Sequence, residues 1–284
     1  MALRPCKYPA DQQDTADSCS TTEPEKGLSK LFNLLGGMFR YMIKTPPVWI
    51  PLALLVSATI FFWITDVDLQ LSRQFYEING SSLASNSRWP LRVAEPWKSL
   101  NELGVYPALI MGGGGLLVVL ISLFWSKLRP YRDAGLFFVL MLTLGPGLLI
   151  NGIFKPYWGR PRPNDTIPFS GPQPFLPVGD IGISEGASFP SGHASMGFYL
   201  MAPGFVLYRR RPRLAAAFFA LGLAGGTIMG LARIVAGSHF ASDVVWSAGI
   251  VYFTGLALAA LFHFGEDKAL PQDSGFRVQG SEPN

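Results

Sequence analysis

The sequence predicts an all-α fold, a polytopic membrane bundle of six transmembrane helices with an interfacial helix ahead of it. Three observations carry this. Of the 284 residues, 15% are charged, where soluble domains carry about 25%. The mean hydropathy is +0.28. Six apolar stretches approach the ~20 residues that a helix needs to cross a bilayer. Disorder does not describe such a chain, because 13% of it is aromatic and disordered segments are aromatic-poor. The net charge of +4 is not gathered into the basic stripe that nucleic acid would demand. Cys6 and Cys19 stand alone in the polar N-terminal stretch, in no zinc or disulfide pattern.

The elements follow in order. Residues 1–26 are polar, without the apolar core of a signal peptide. In 27–44, Leu28, Leu31, Phe32, Leu35, Met38, Phe39 and Met42 recur at helical spacing, with Lys30, Arg40 and Lys44 between them. That pattern predicts a helix lying on the membrane surface. The spans are predicted at 48–65, 105–125, 134–154, 194–208, 214–232 and 243–264. Pro46, Pro47 and Pro51 suit the start of the first, whereas Pro146 and Pro203 predict kinks. Gly112 to Gly115 in the second allow close helix approach. Trp89 and Trp97 read as members of an interfacial aromatic belt. A polar tail closes the chain, giving three regions: 1–47, the membrane domain 48–264, and 265–284. Lys127, Arg129 and Arg132 in one loop, and Arg209, Arg210, Arg211 and Arg213 in another, place those loops and both termini in the cytoplasm. The loops after spans one, three and five then face outward.

Charged groups at bilayer depth are costly and mark function. Here they fall in three groups that the topology brings to the outer face. Lys155-Pro-Tyr-Trp-Gly-Arg160-Pro-Arg162-Pro163 follows span three, Pro190-Ser191-Gly192-His193 precedes span four, and Arg233, His239 and Asp243 join spans five and six. Lys155, Arg162 and Arg233 are cations suited to phosphate oxygens. Ser191 can cap a helix whose first amides, from Gly192 and His193, form an anion site. His239 and Asp243, at i and i+4, would share one helix face, the carboxylate fixing the imidazole tautomer. His239 then reads as a nucleophile and His193 as the acid for the leaving oxygen. A metal centre at His193, His239 and Asp243 is disfavoured by the three neighbouring cations, so no metal or cofactor is expected. Arg160 stays open between a snorkelling residue and a substrate contact. Tyr157 and Trp158 read as interface residues, and so does His263.

These groups resemble the three-part signature of the type-2 phosphatidic acid phosphatase superfamily, the lipid phosphate phosphatases: K-x6-R-P, P-S-G-H and S-R-x5-H-x3-D. Every internal spacing matches, from Lys155 to Pro163, from Pro190 to His193 and from Arg233 to Asp243. The resemblance implies His239 as nucleophile, Asp243 as its orienting partner and His193 as general acid. It also implies phosphate binding by Lys155, Arg162, Ser191, Gly192 and Arg233, without metal. One departure is Ala232, where the family usually has serine, so a hydroxyl near the phosphate is missing.

The expected activity is hydrolysis of a lipid phosphomonoester or diphosphate at the periplasmic face. Lipid A, phosphatidylglycerophosphate, phosphatidic acid and polyprenyl diphosphate share that chemistry. Gly145-Pro146-Gly147, Asn151 and Ser188-Phe189 add a resemblance to bacterial envelope members, lipid A phosphatases among them, which implies the bacterial inner membrane. The expected partners are the lipid substrate and the bilayer, and nothing in the sequence fixes an oligomeric state. The alternatives are a lipid-to-lipid phosphotransferase on the same site, a haloperoxidase, and a transporter of anionic lipids. Against transport, no inverted repeat is evident.

Overall fold

The computed structural model of the chain describes residues 46–77, 88–182 and 186–264. The predicted surface helix at 27–44, both cysteines and the C-terminal tail lie outside the described residues. Helix α1 (Pro46–Ile64) bends by 73° into α2 (Val67–Arg73). The short α3 (Trp97–Leu103) leads into α4 (Tyr106–Phe124). Helix α5 (Arg132–Leu142) continues as a π-helix over Thr143–Phe154 and a last α-turn over Lys155–Trp158. The rest are α6 (Gly192–Tyr199), α7 (Ala202–Leu207), α8 (Pro212–Val235) and α9 (Ala241–Leu261). The described residues contain no β-strand, and their two β-bridges are isolated.

Four stretches are long and apolar enough to cross a membrane: Trp97–Phe124, Ser126–Trp158, Pro212–Val235 and Ala241–Leu261; the bent α1–α2 pair raises the number to five. The predicted stretch 194–208 is instead the broken pair α6–α7. Its 16 or so residues would reach about 24 Å, short of the ~30 Å hydrocarbon layer. Pro203 explains the break, since it sits in the first turn of α7, where a missing N–H costs least.

The exterior of the bundle is apolar. Leu54, Ile64, Ile110, Leu117, Phe124 and Leu223 are all more than half exposed. Soluble monomers rarely show contiguous patches of that kind; a lipid-facing surface requires them. The interior packs Phe137, Met141, Ile150, Tyr199, Met201 and Val251, each almost fully buried. Helices α4 and α5 cross at Gly115 and Gly135. A Cβ on Gly115 would stand 2.8 Å from the Gly135 carbonyl oxygen, and one on Gly135 would stand 2.7 Å from that of Gly115.

The kink expected at Pro146 is a change of helical register. Proline lacks an N–H and crowds the preceding turn, and the wider π-helix accommodates it. Asn151 Nδ2 donates to the Pro146 carbonyl at 2.7 Å, which satisfies an oxygen inside that irregular turn. Trp89 departs from its predicted place in an interfacial belt. It is 3% exposed and packs with Tyr76 and Phe169.

Candidate active site

The structure brings the eight sequence-predicted residues to one end of the bundle. Ser191 is the N-cap of α6, its hydroxyl accepting from the Ala194 amide at 3.4 Å. Gly192 opens the helix with no room for a side chain, because a Cβ there would lie 2.7 Å from Asn151 Oδ1. The kinked π-segment and the helix N-terminus therefore meet face to face. Ser247 Oγ, donating within reach of the carbonyls of Ser191 and Asp243, ties the starts of α6 and α9 together.

His239 is almost completely buried. It lies in the turn between α8 and α9, not on the helix, so the expected shared helix face is replaced by a capping turn. Gly237 makes that turn with φ +63°, and a Cβ there would strike the Trp89 ring at 2.3 Å. The imidazole Nδ1 is 2.6 Å from the Ser188 carbonyl oxygen and 3.6 Å from Asp243 Oδ2. A carbonyl can only accept, so Nδ1 carries the proton and Nε2 keeps its lone pair. The direct acceptor is thus the Ser188 backbone, with the Asp243 carboxylate one step behind it. Burial lowers the imidazole pKa to about 4, and the nearby Asp243 charge only partly opposes this. The ring is therefore neutral at physiological pH.

Asp243 is fully buried and fully engaged. One oxygen accepts from Arg160 Nη1 at 2.5 Å; the other accepts from Ser188 Oγ at 2.6 Å and from the Phe240 amide at 2.8 Å. Arg160 is the main residue that sequence reasoning misplaced. It neither snorkels nor faces a substrate, being 0% exposed. Nη1 also donates to Ser242 Oγ, Nη2 to Asp68 Oδ2 and Nε to the Leu176 carbonyl, and Phe240 lies 4.6 Å from the guanidinium. Burial alone would lower its pKa, but Asp243 and Asp68 hold it above the usual value. The Arg160 carbonyl accepts from the Ser188 amide at 3.0 Å, closing a ring of contacts around His239.

Lys155, Arg162 and Arg233 are half-buried and lie within one another's electrostatic field. His193, also half-buried, feels Arg233, His239 and Lys155 and bonds to the Asn101 backbone. Arg233 Nη1 donates to Asn101 Oδ1 at 3.2 Å, while its buried Nε has no protein partner. Asn101 Nδ2 reaches the carbonyl of Ala232 at 3.4 Å, so a polar group from α3 stands beside the alanine that replaces the motif serine. Arg233 and Asp243 do not pair with each other; their partners are Asn101 and Arg160. Trp158 is half-buried behind the site, its ring 4.7 Å from that of Phe189, while Tyr157 is 77% exposed. His263 lies beyond the far end of α9. Among the described residues, no group of three His, Cys, Asp or Glu side chains is disposed to hold a metal ion.

The assembled site is a buried, neutral imidazole beside three cations and a helix N-terminus, an arrangement that can receive a tetrahedral oxyanion. Comparison with known proteins agrees. Over 151 residues the chain is 41% identical to the lipid A 4'-phosphatase of Francisella tularensis subsp. novicida (strain U112), covering 52% of this chain and 67% of that one. Against the lipid A 4'-phosphatase of Rhizobium leguminosarum it is 32% identical over 155 residues, 49% of this chain and 65% of that one. Against the phosphatidylglycerophosphatase B of Bacillus subtilis (strain 168) it is 27% identical over 175 residues, 59% and 77%. No solved structure matches. Residues 134–266 match the PAP2 superfamily, and that span holds all eight residues, so the chain belongs to the PAP2 superfamily.

Proposed function

We propose that the protein is an integral membrane lipid phosphatase that works through a phosphohistidine on His239. The observation that carries this is the tautomer. Nδ1–H is held by the Ser188 carbonyl at 2.6 Å, so Nε2 is left with a lone pair. In the first step Nε2 attacks phosphorus, an N–P bond forms, and the P–O bond to the lipid breaks. The electron pair leaves with the lipid oxygen, which takes a proton from His193. In the second step water attacks phosphorus and gives its proton to His193. The N–P bond breaks and inorganic phosphate departs. Lys155, Arg162, Arg233 and the amides of Gly192 and His193, at the helix start that Ser191 caps, neutralise the non-bridging oxygens throughout. Three cations supply the positive charge that a divalent ion would otherwise bring, which supports metal-independent chemistry.

The substrate is a lipid phosphomonoester or diphosphate. The phosphates of lipid A lead, because relatives at 41% and 32% identity carry lipid A 4'-phosphatase as their name. The catalytic unit is 48–264 with six passes, α6–α7 forming the short fourth. Residues 1–47 and 265–284 are cytoplasmic in this reading. The basic loops at 126–133 and 208–213 support a site at the periplasmic face of a bacterial inner membrane.

Phosphate release from lipid A, phosphatidylglycerophosphate, phosphatidic acid and polyprenyl diphosphate, in detergent with EDTA, tests the reading. We expect release from at least one lipid, unaffected by EDTA and abolished in His239→Ala. Release that persists in His239→Ala would overturn the nucleophile, and release lost to EDTA would overturn metal independence.

A further inference from the structure

The buried cluster behind His239 holds more charge than packing needs. Asp68, 2% exposed, comes from α2, well before the stretch that matches the superfamily. Its Oδ1 accepts from the Ser242 amide at 2.9 Å, and its Oδ2 from Ser242 Oγ at 2.5 Å and Arg160 Nη2 at 2.9 Å. Arg160 thus lies between two carboxylates, Asp68 and Asp243. Removing such charges from water is costly, and apolar packing of similar volume often stabilises as well or better. Stability is therefore a poor reason for the cluster, and orientation a better one.

We propose that Asp68 and Arg160 are positioning residues for the imidazole of His239, a role that rests on the nucleophile assigned above. Arg160 acts by two routes. Its side chain fixes Asp243, whose Oδ2 takes the Ser188 hydroxyl and the Phe240 amide; its carbonyl fixes the Ser188 amide. Both routes end on Ser188, whose carbonyl accepts the hydrogen bond from the imidazole Nδ1–H. Asp68 locks the other side, holding Ser242 in the first turn of α9 and the free arm of Arg160. The 73° bend between α1 and α2 is what carries this carboxylate to the far side of the cluster. Without Asp68, one arm of Arg160 is left unpaired, and Asp243 and Ser188 lose their register against the ring.

The test uses the full chain in detergent and the lipid that the wild-type enzyme hydrolyses best in the panel above. Asp68→Asn, Asp68→Glu and His239→Ala are compared for kcat, KM, elution as a single species and thermal unfolding. We expect Asp68→Asn to lose about 10- to 100-fold in kcat with KM within about threefold. Asp68→Glu, which keeps the charge, should recover part of that loss. Wild-type kcat in folded Asp68→Asn overturns the positioning role, as does a loss carried by KM alone. A lowered unfolding temperature with unchanged kcat per folded molecule also overturns it. Should Asp68→Asn fail to fold, Ser242→Ala, which removes one hydroxyl and no charge, takes its place. A kcat loss of about threefold or more then supports the role, and an unchanged kcat overturns it. Undiminished release by His239→Ala removes the nucleophile and the positioning role together. A dead His239→Ala beside a fully active Asp68→Asn removes the positioning role alone.

Discussion

The imidazole of His239 shows how local the decisive chemistry is. Its pKa of about 4 comes first from burial, with the Asp243 carboxylate working against the shift. Protonation would consume the Nε2 lone pair, so activity is retained as pH falls from 7 and is lost as pH passes below about 4. The acid limb of kcat/KM should sit there once the second ionisation of the substrate phosphate, near pH 6, has been divided out. A limb that remains near 6.5 after that correction would mean a solvated, readily protonated ring. Asn101 offers a second reading at this scale. Its Oδ1 holds Arg233 at 3.2 Å, and its backbone holds His193. Asn101→Asp would place a carboxylate on the arginine and against the incoming phosphate. KM should rise by about tenfold or more, whereas Asn101→Ala should cost less. Equal effects in initial-rate kinetics would make Asn101 mere packing. The eight motif residues were legible because their spacing is rigid and local. Asp68 and Asn101 were not, since each reaches its partners in the site across 92 or more residues of chain with no periodic mark. Arg160 was visible but misplaced, because a charge in an outer loop reads as surface until its two carboxylates are found beneath it.

Between elements, contacts are decided by a few atoms of clearance. The sequence placed five of the six helical stretches to within a few residues, because apolar length and proline punctuation are strong one-dimensional signals. The broken α6–α7 pair was harder to read, since a run of apolar residues does not reveal where its hydrogen bonds stop. The π-register after Thr143 was equally hidden, although Pro146 announced an irregularity there. That register matters because it points Asn151 at the start of α6. Asn151 is tethered through Nδ2 to the Pro146 carbonyl, and its Oδ1 fills the space that a side chain on Gly192 would need. Gly192→Ala should therefore push the helix N-terminus away from the phosphate, costing about 1–3 kcal/mol in overpacking and a matching loss of activity. Asn151→Ala removes the obstructing amide. In the double variant the loss should be smaller than the two single losses added together. A double-mutant cycle on kcat/KM measures this coupling directly. Strict additivity would mean that the two residues do not collide and that Gly192 is needed for its backbone alone.

At the scale of the whole molecule, the bilayer explains why the site can be built from buried charge at all. The flanks of the helices are apolar and exposed, with Phe124 at 92% and Ile110 at 72%, so the hydrocarbon solvates what a soluble enzyme would have to bury. Polar atoms are then free to concentrate at one end. Asp68, Arg160, Ser188, His239, Ser242 and Asp243 make a polar core there, capped from outside by the Trp89, Phe169 and Phe240 cluster. The opposite end carries Lys127, Arg129 and Arg132 after α4 and Arg209, Arg210, Arg211 and Arg213 before α8. Positive loops are retained on the cytoplasmic side, which is the ground for the proposed periplasmic placement of the catalytic end. Replacing Cys6 and Cys19 by serine and introducing single cysteines turns this into a measurement. Ile167→Cys lies beside the site, where the native side chain is 63% exposed, and Lys127→Cys lies in the basic loop at the other end. In intact cells with a permeabilised outer membrane, a membrane-impermeant maleimide should label the first and leave the second unlabelled until the inner membrane is broken. The reverse pattern would invert the bundle and place the chemistry on cytoplasmic lipid. In that case the basic loops would have to be read as part of a headgroup surface, because they would no longer be what sets the orientation.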